Sequence, residues 1–204
     1  MHSGNTIWRQ ALMDYILREA QPVDKYGHQP RLYALTREVG KDQSYDDDIV
    51  FAAVWLHDLG VFEGHRPSDP AQLAAWDNVA YAMKRAPAIL ISCGFPEIKI
   101  SPVTEAIATH QPHKIPKSME ATILRDADIL EQLGAVGILR ATAKVGRDTR
   151  YARFSDVIPA LARVLETLPA LLRLPSSQAL AAPRIAMLSE FLDAVDREAA
   201  DKLY

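Results

Sequence analysis

Cysteine is almost missing from this chain. One thiol, Cys93, among 204 residues rules out an intramolecular disulfide framework and a multi-cysteine zinc site, and it suits a reducing compartment. Long apolar runs are missing too. Residues 49–56 and 88–91 fall well short of the roughly 20 that span a bilayer, so no membrane partner is expected. Residues 1–10 lack both a basic stretch and an apolar stretch, since Trp8, Arg9 and Gln10 interrupt the first candidate segment, so a cytoplasmic protein is expected. No block of one charge occurs: 23 Lys and Arg stand against 26 Asp and Glu, a net charge of −3. That balance argues against a nucleic-acid polymer as partner. Strand-type alternation and Asn-Gly or Asp-Gly hairpin signals are absent as well.

What is present is a composition for a packed core, 49% hydrophobic against 24% charged, with apolar residues at helical spacing. Ile7, Leu12, Tyr15 and Ile16 mark a first helix and Leu32, Leu35 and Val39 a second, with Pro30 in its first turn. A third follows Asp46, Asp47 and Asp48, carboxylates suited to a helix N-terminus, and Gly60 is expected to end it. Asp69 and Pro70 open a long helix toward Cys93, kinked at Pro87 and closed by Gly94. Helices over 101–110, from 118 to 133 and through 136–145, then about 156–172 and 181–202, complete an all-α fold in one domain. Two prolines make 111–116 a loop, and 172–183 is read as a connection and the one candidate hinge.

The chemistry is carried by His57-Asp58, at the end of the apolar helix. An imidazole and a carboxylate adjacent on a helix point about 100° apart. One structural partner cannot easily satisfy both, whereas a cation at the helix end can. His28, with Arg31 at i+3, and Asp128 in the run Leu124-Arg125-Asp126-Ala127-Asp128-Ile129-Leu130 supply similar ligand types. A carboxylate facing a core needs a partner, because burying it ionised costs several kcal/mol.

The order His28, His57-Asp58, Asp128, all on helices, resembles the HD-domain superfamily of metal-dependent phosphohydrolases. His28-Gln29-Pro30-Arg31 is similar to the His-x-x-Arg element of its small stand-alone members. Gly94-Phe95-Pro96 with Ile107 and His110, and 126–140 from Asp126 through Gly134 and Gly137 to Arg140, resemble the segments around the last Asp. The resemblance covers roughly residues 10–200. It implies an HD-type helical bundle with its metal-site core at about 25–145 and C-terminal helices at about 152–203 packed on it.

It further implies one divalent ion held by His28, His57, Asp58 and Asp128, with Asp126 as second choice for the last position. Nitrogen and oxygen donors suit Mn, Mg, Fe, Co or Zn. Trp76-Asp77-Asn78 stands where dinuclear members carry a histidine, which points to one metal, and Ile129 replaces an arginine common after the last Asp. The implied reaction is hydrolysis of a small phosphate ester, a nucleotide being the leading candidate, by a metal-activated water. Asp58 would orient that water, Arg31 would meet phosphate charge, and His110 or His65 would act as general acid. Alternatives are an HD-fold ligand-binding or regulatory module and an iron-dependent HD-fold oxygenase. Partners are then a small phosphorylated substrate, with a homodimer left open.

Plainer readings apply elsewhere. Asp126 is expected as an exposed helix carboxylate beside Arg125, Arg140 as a structural ion-pair partner, and Cys93 as a small hydrophobe. Trp8, Trp55 and Trp76 are expected in the core or at its rim.

Overall fold

The computed structural model describes residues 3–147, 151–200 and 202–203. Residues 1 and 2 of the expected N-terminal stretch, and residue 201 of the expected last helix, lie outside them. Among the described residues ten α-helices run in chain order: α1 Ser3–Glu19, α2 His28–Val39, α3 Asp47–Leu56, α4 Pro70–Ala74, α5 Asn78–Ser92, α6 Ile100–Thr109, α7 Met119–Gln132, α8 Gly134–Thr142, α9 Val157–Thr167 and α10 Pro175–Ala199. No strand occurs among the described residues, so the all-α expectation holds. The helices form two compact units, Met1–Arg125 and Asp126–Tyr204.

In the first unit α3 is the central element, packed on α1, α2, α5 and α6. All eight residues from Ile49 to Leu56 are buried. A helix apolar on every side is stable only where neighbours cover every side, and each large aliphatic or aromatic side chain so buried contributes roughly 1.5–3 kcal/mol. The first helix presents Trp8, Leu12 and Ile16 to this core, whereas Ile7 is exposed. The register is therefore carried by Trp8, whose ring meets Phe51 and Phe95 edge-on at 5.4 and 4.7 Å.

The N-terminus of α3 is fixed by charge. Asp46 caps it, accepting from the Asp48 amide. Arg9 donates to Asp47 and Asp48 at 2.7 Å each, and Lys99 reaches Asp46 and Asp48 at 2.7 and 2.9 Å. Burial works against the charge on Arg9 and Lys99, yet these carboxylates more than offset it and hold both pKa values above their ordinary range. Carboxylates at a helix N-terminus also meet the positive end of its dipole. With one end of α3 pinned to α1 and to the turn before α6, its other end, which carries His57, has a fixed address.

Three expectations are corrected. The helix from Pro70 is two helices, because Asp77 caps a second start by accepting from the Ala80 amide and Trp76 turns in to donate to the Gly60 carbonyl at 2.8 Å. Gly60 does not end α3, which stops at Leu56; it sits in a following tight turn, where a Cβ would lie 2.5 Å from the Asn78 carbonyl oxygen. Residues 172–183 are not a free connection, since α10 starts at Pro175 and runs through Pro183.

In the second unit α8, α9 and α10 pack on one another. Arg140 donates to Glu131 at 2.8 Å, the structural role expected of it.

Candidate metal centre

His28 is the first residue of α2, delivered by a tight helical turn at Val23–Gly27. His57 ends α3 with helical backbone angles, while Asp58 has left the helix (φ −97°, ψ 12°). That departure lets two adjacent side chains converge. His28 Nε2 lies 3.3 Å from His57 Nε2, and Asp58 Oδ2 lies 3.6 and 3.7 Å from them. The three form a group of metal-ligating atoms among the described residues.

The protonation pattern fits a cation. His57 Nδ1 is 2.8 Å from the Val54 carbonyl oxygen, and a carbonyl only accepts, so Nδ1 donates. In the neutral ring Nε2 then presents a lone pair toward His28. Two imidazole nitrogens and a carboxylate oxygen at this spacing match neighbouring ligands around one ion with bonds of about 2.0–2.2 Å. The histidine side chains are 7% and 1% exposed and that of Asp58 is 22% exposed, so solvent reaches the group from the Asp58 side.

His110 ends α6 and is buried; its Nδ1 donates to the Ile107 carbonyl at 2.6 Å, and its ring centroid is 5.0 Å from that of His57. Arg31 is exposed on α2, one turn from His28. A Cβ on Gly27 would come within 2.9 Å of its Nη1, so the glycine makes room for the guanidinium.

His65 is placed differently from a solvated loop histidine. Its side chain is 8% exposed, and both ring nitrogens are engaged, Nε2 with Glu19 Oε2 at 2.7 Å and Nδ1 with the Tyr81 hydroxyl at 2.9 Å. Nothing in the sequence pairs these three residues, which lie 16 and 46 positions apart.

Asp128 stands on α7 in the second unit, its Oδ2 3.5 Å from Gln132 Nε2. Asp126 is corrected from an exposed carboxylate to one with 0% exposure. Its Oδ2 accepts from the backbone amides of Arg173 and Leu174 at 3.0 and 2.9 Å. Leu174 is the residue that precedes α10 and offers no side-chain cap, so Asp126 anchors the start of that helix.

No protein-family model matches the chain, and no curated protein matches it. Solved structures do. A Lactobacillus plantarum protein is 22% identical over 96% of this chain and 98% of its own, with a TM-score of 0.71. Bacillus subtilis YpgQ, crystallised in complex with ADP, is 19% identical over 96% of each chain, with a TM-score of 0.72. An HD-superfamily hydrolase from Bacillus thuringiensis is 18% identical over 97% of this chain and 99% of its own, with a TM-score of 0.70. Over nearly its full length, this chain has the fold of the HD-superfamily hydrolases.

Proposed function

We propose that the protein is a metal-dependent phosphohydrolase that cleaves a small phosphate ester, with a nucleotide as its substrate class. The observation that carries this is the triangle of His28 Nε2, His57 Nε2 and Asp58 Oδ2 with sides of 3.3, 3.6 and 3.7 Å. The fold supports it, as does the ADP complex of YpgQ for the nucleotide. His28, His57 and Asp58 would hold one divalent ion, Mn, Mg, Fe, Co or Zn, with Asp128 as fourth ligand on the strength of the sequence pattern. Bound there, the ion supplies Lewis acidity toward a phosphoryl oxygen and acidity to a water.

The chain supplies the rest. Asp58 Oδ1 orients the attacking water and accepts its proton as the water oxygen bonds to phosphorus. Arg31, always charged and able to contact two oxygens at once, meets the charge on the phosphoryl group. The ester P–O bond breaks, and His110, entering the step as the imidazolium with Nδ1 held on the Ile107 carbonyl, gives its Nε2 proton to the leaving oxygen and is left neutral. His65 takes no proton-transfer role in this scheme, because both its nitrogens are engaged.

The test is phosphate release over nucleoside mono-, di- and triphosphates and simple esters, with each metal added in turn. Metal-dependent release that disappears in Asp58→Ala supports the proposal. Bound metal without release from any ester favours a ligand-binding module instead, and oxygen uptake with Fe(II) favours the oxygenase.

A further inference from the structure

Two chain segments deliver the ligands that the proposed function assigns: one enters α2 at His28, the other leaves α3 at Asp58. They are tied together. The Glu63 amide donates to the Gln21 carbonyl at 2.9 Å, and beside this bond His65 reaches Glu19 at 2.7 Å. A carboxylate only accepts, so His65 Nε2 carries a proton and donates it. In the neutral ring Nδ1 is then the acceptor of the Tyr81 hydroxyl, 2.9 Å away on α5. The ring is also packed, with Phe62 and Tyr81 meeting it edge-on at 6.1 and 5.7 Å.

The loop between Asp58 and His65 transmits this hold. The Val61 amide donates to the Asp58 carbonyl at 3.0 Å and the His65 amide to the Phe62 carbonyl at 3.1 Å. Gly60 is gripped between them by the Trp76 indole and the Asn78 backbone. Asp58 itself has left the α-helical ladder, so its position depends on what holds this loop.

We infer that His65 is a positioning residue for the metal centre: the Glu19–His65–Tyr81 chain clamps the loop after Asp58 to α1 and α5 and so sets the spacing of Asp58 Oδ2 from His28 Nε2. The inference rests on His28, His57 and Asp58 holding metal. Partners that orient ligands tune metal affinity by roughly 10–100-fold.

Calorimetric titration with Mn²⁺, at a temperature where circular dichroism shows each protein fully folded, tests it. The wild type binds and Asp58→Ala does not. His65→Ala binds roughly 10–100-fold more weakly. His65→Gln recovers most of the affinity, because a carboxamide nitrogen can donate to Glu19 while its oxygen accepts from Tyr81. A strap that merely stabilises the fold would lower the melting temperature of His65→Ala and leave its Mn²⁺ affinity at the wild-type value, and that result overturns the inference. Should His65→Ala not fold, Tyr81→Phe decides, since it removes one hydroxyl: weaker Mn²⁺ binding supports the clamp, and unchanged binding overturns it. A wild type that binds no Mn²⁺, or an Asp58→Ala variant that binds it normally, removes the metal centre itself and the inference with it.

Discussion

His57 and His110 end neighbouring helices in the same way: each Nδ1 donates to the carbonyl three residues back, Val54 at 2.8 Å and Ile107 at 2.6 Å, and the two rings lie 5.0 Å apart. Helices α3 and α6 pack on each other, so two helix C-termini hold two imidazoles, each oriented by its Nδ1 proton. The Nε2 of His57 faces His28 and Asp58.

The two histidines should therefore separate in kinetics. His110→Ala is expected to lower kcat by about 10²–10⁴, the range of a lost general acid, with Mn²⁺ affinity near wild type. His57→Ala should lose metal binding and turnover together. Steady-state assays beside calorimetric titration of both variants check this.

The two aspartates of α7 should separate in stability. Asp126 holds two backbone amides, one buried and one part-buried, and hydrogen bonds to a charged group are worth about 1.5–3 kcal/mol each, so Asp126→Ala should cost about 3 kcal/mol in urea unfolding. Asp128→Ala should unfold close to the wild type and bind metal more weakly.

Gly60→Ala should destabilise the first unit, because its Cβ would meet the Asn78 backbone at 2.5 Å and forced overpacking costs about 1–3 kcal/mol. Gly64→Ala is the control for steric contact: nothing lies within 4 Å of its Cβ, and its cost comes from a positive φ of 87° alone. Urea midpoints of the two variants separate the effects.

Cys93 should react slowly. Burial pushes its thiol above the usual value, against smaller opposing effects of Ser92 and Arg18. The reactive form is the thiolate, so alkylation by iodoacetamide at pH 8 should lag behind that of a free small-molecule thiol and accelerate as the pH rises past 9. Equal rates at pH 8 would contradict this.

Much of this was legible in the residues. The Asp triplet marked the start of α3 and its apolar spacing marked the helix that ends in His57-Asp58, whereas its burial on every side was not read. The break after α4 was missed because Asp77 reads as one more polar residue until its side chain is seen capping α5. Pro175 and Pro183 suggested a connection, yet proline at a helix start is favourable, and Asp126 supplies the anchor that the sequence before α10 lacks. Asp126 looked exposed because its partners are backbone amides 47 and 48 positions away, which no side-chain pattern encodes. The same holds for Glu19 and Tyr81 as partners of His65.

Anomalous diffraction from a crystal soaked in Mn²⁺, recorded near the manganese edge, tests the metal centre most directly. One peak is predicted, bonded to His28 Nε2, His57 Nε2 and an Asp58 oxygen at about 2.0–2.2 Å. A map with no peak among these three atoms, at an Mn²⁺ concentration that supports turnover, would contradict it.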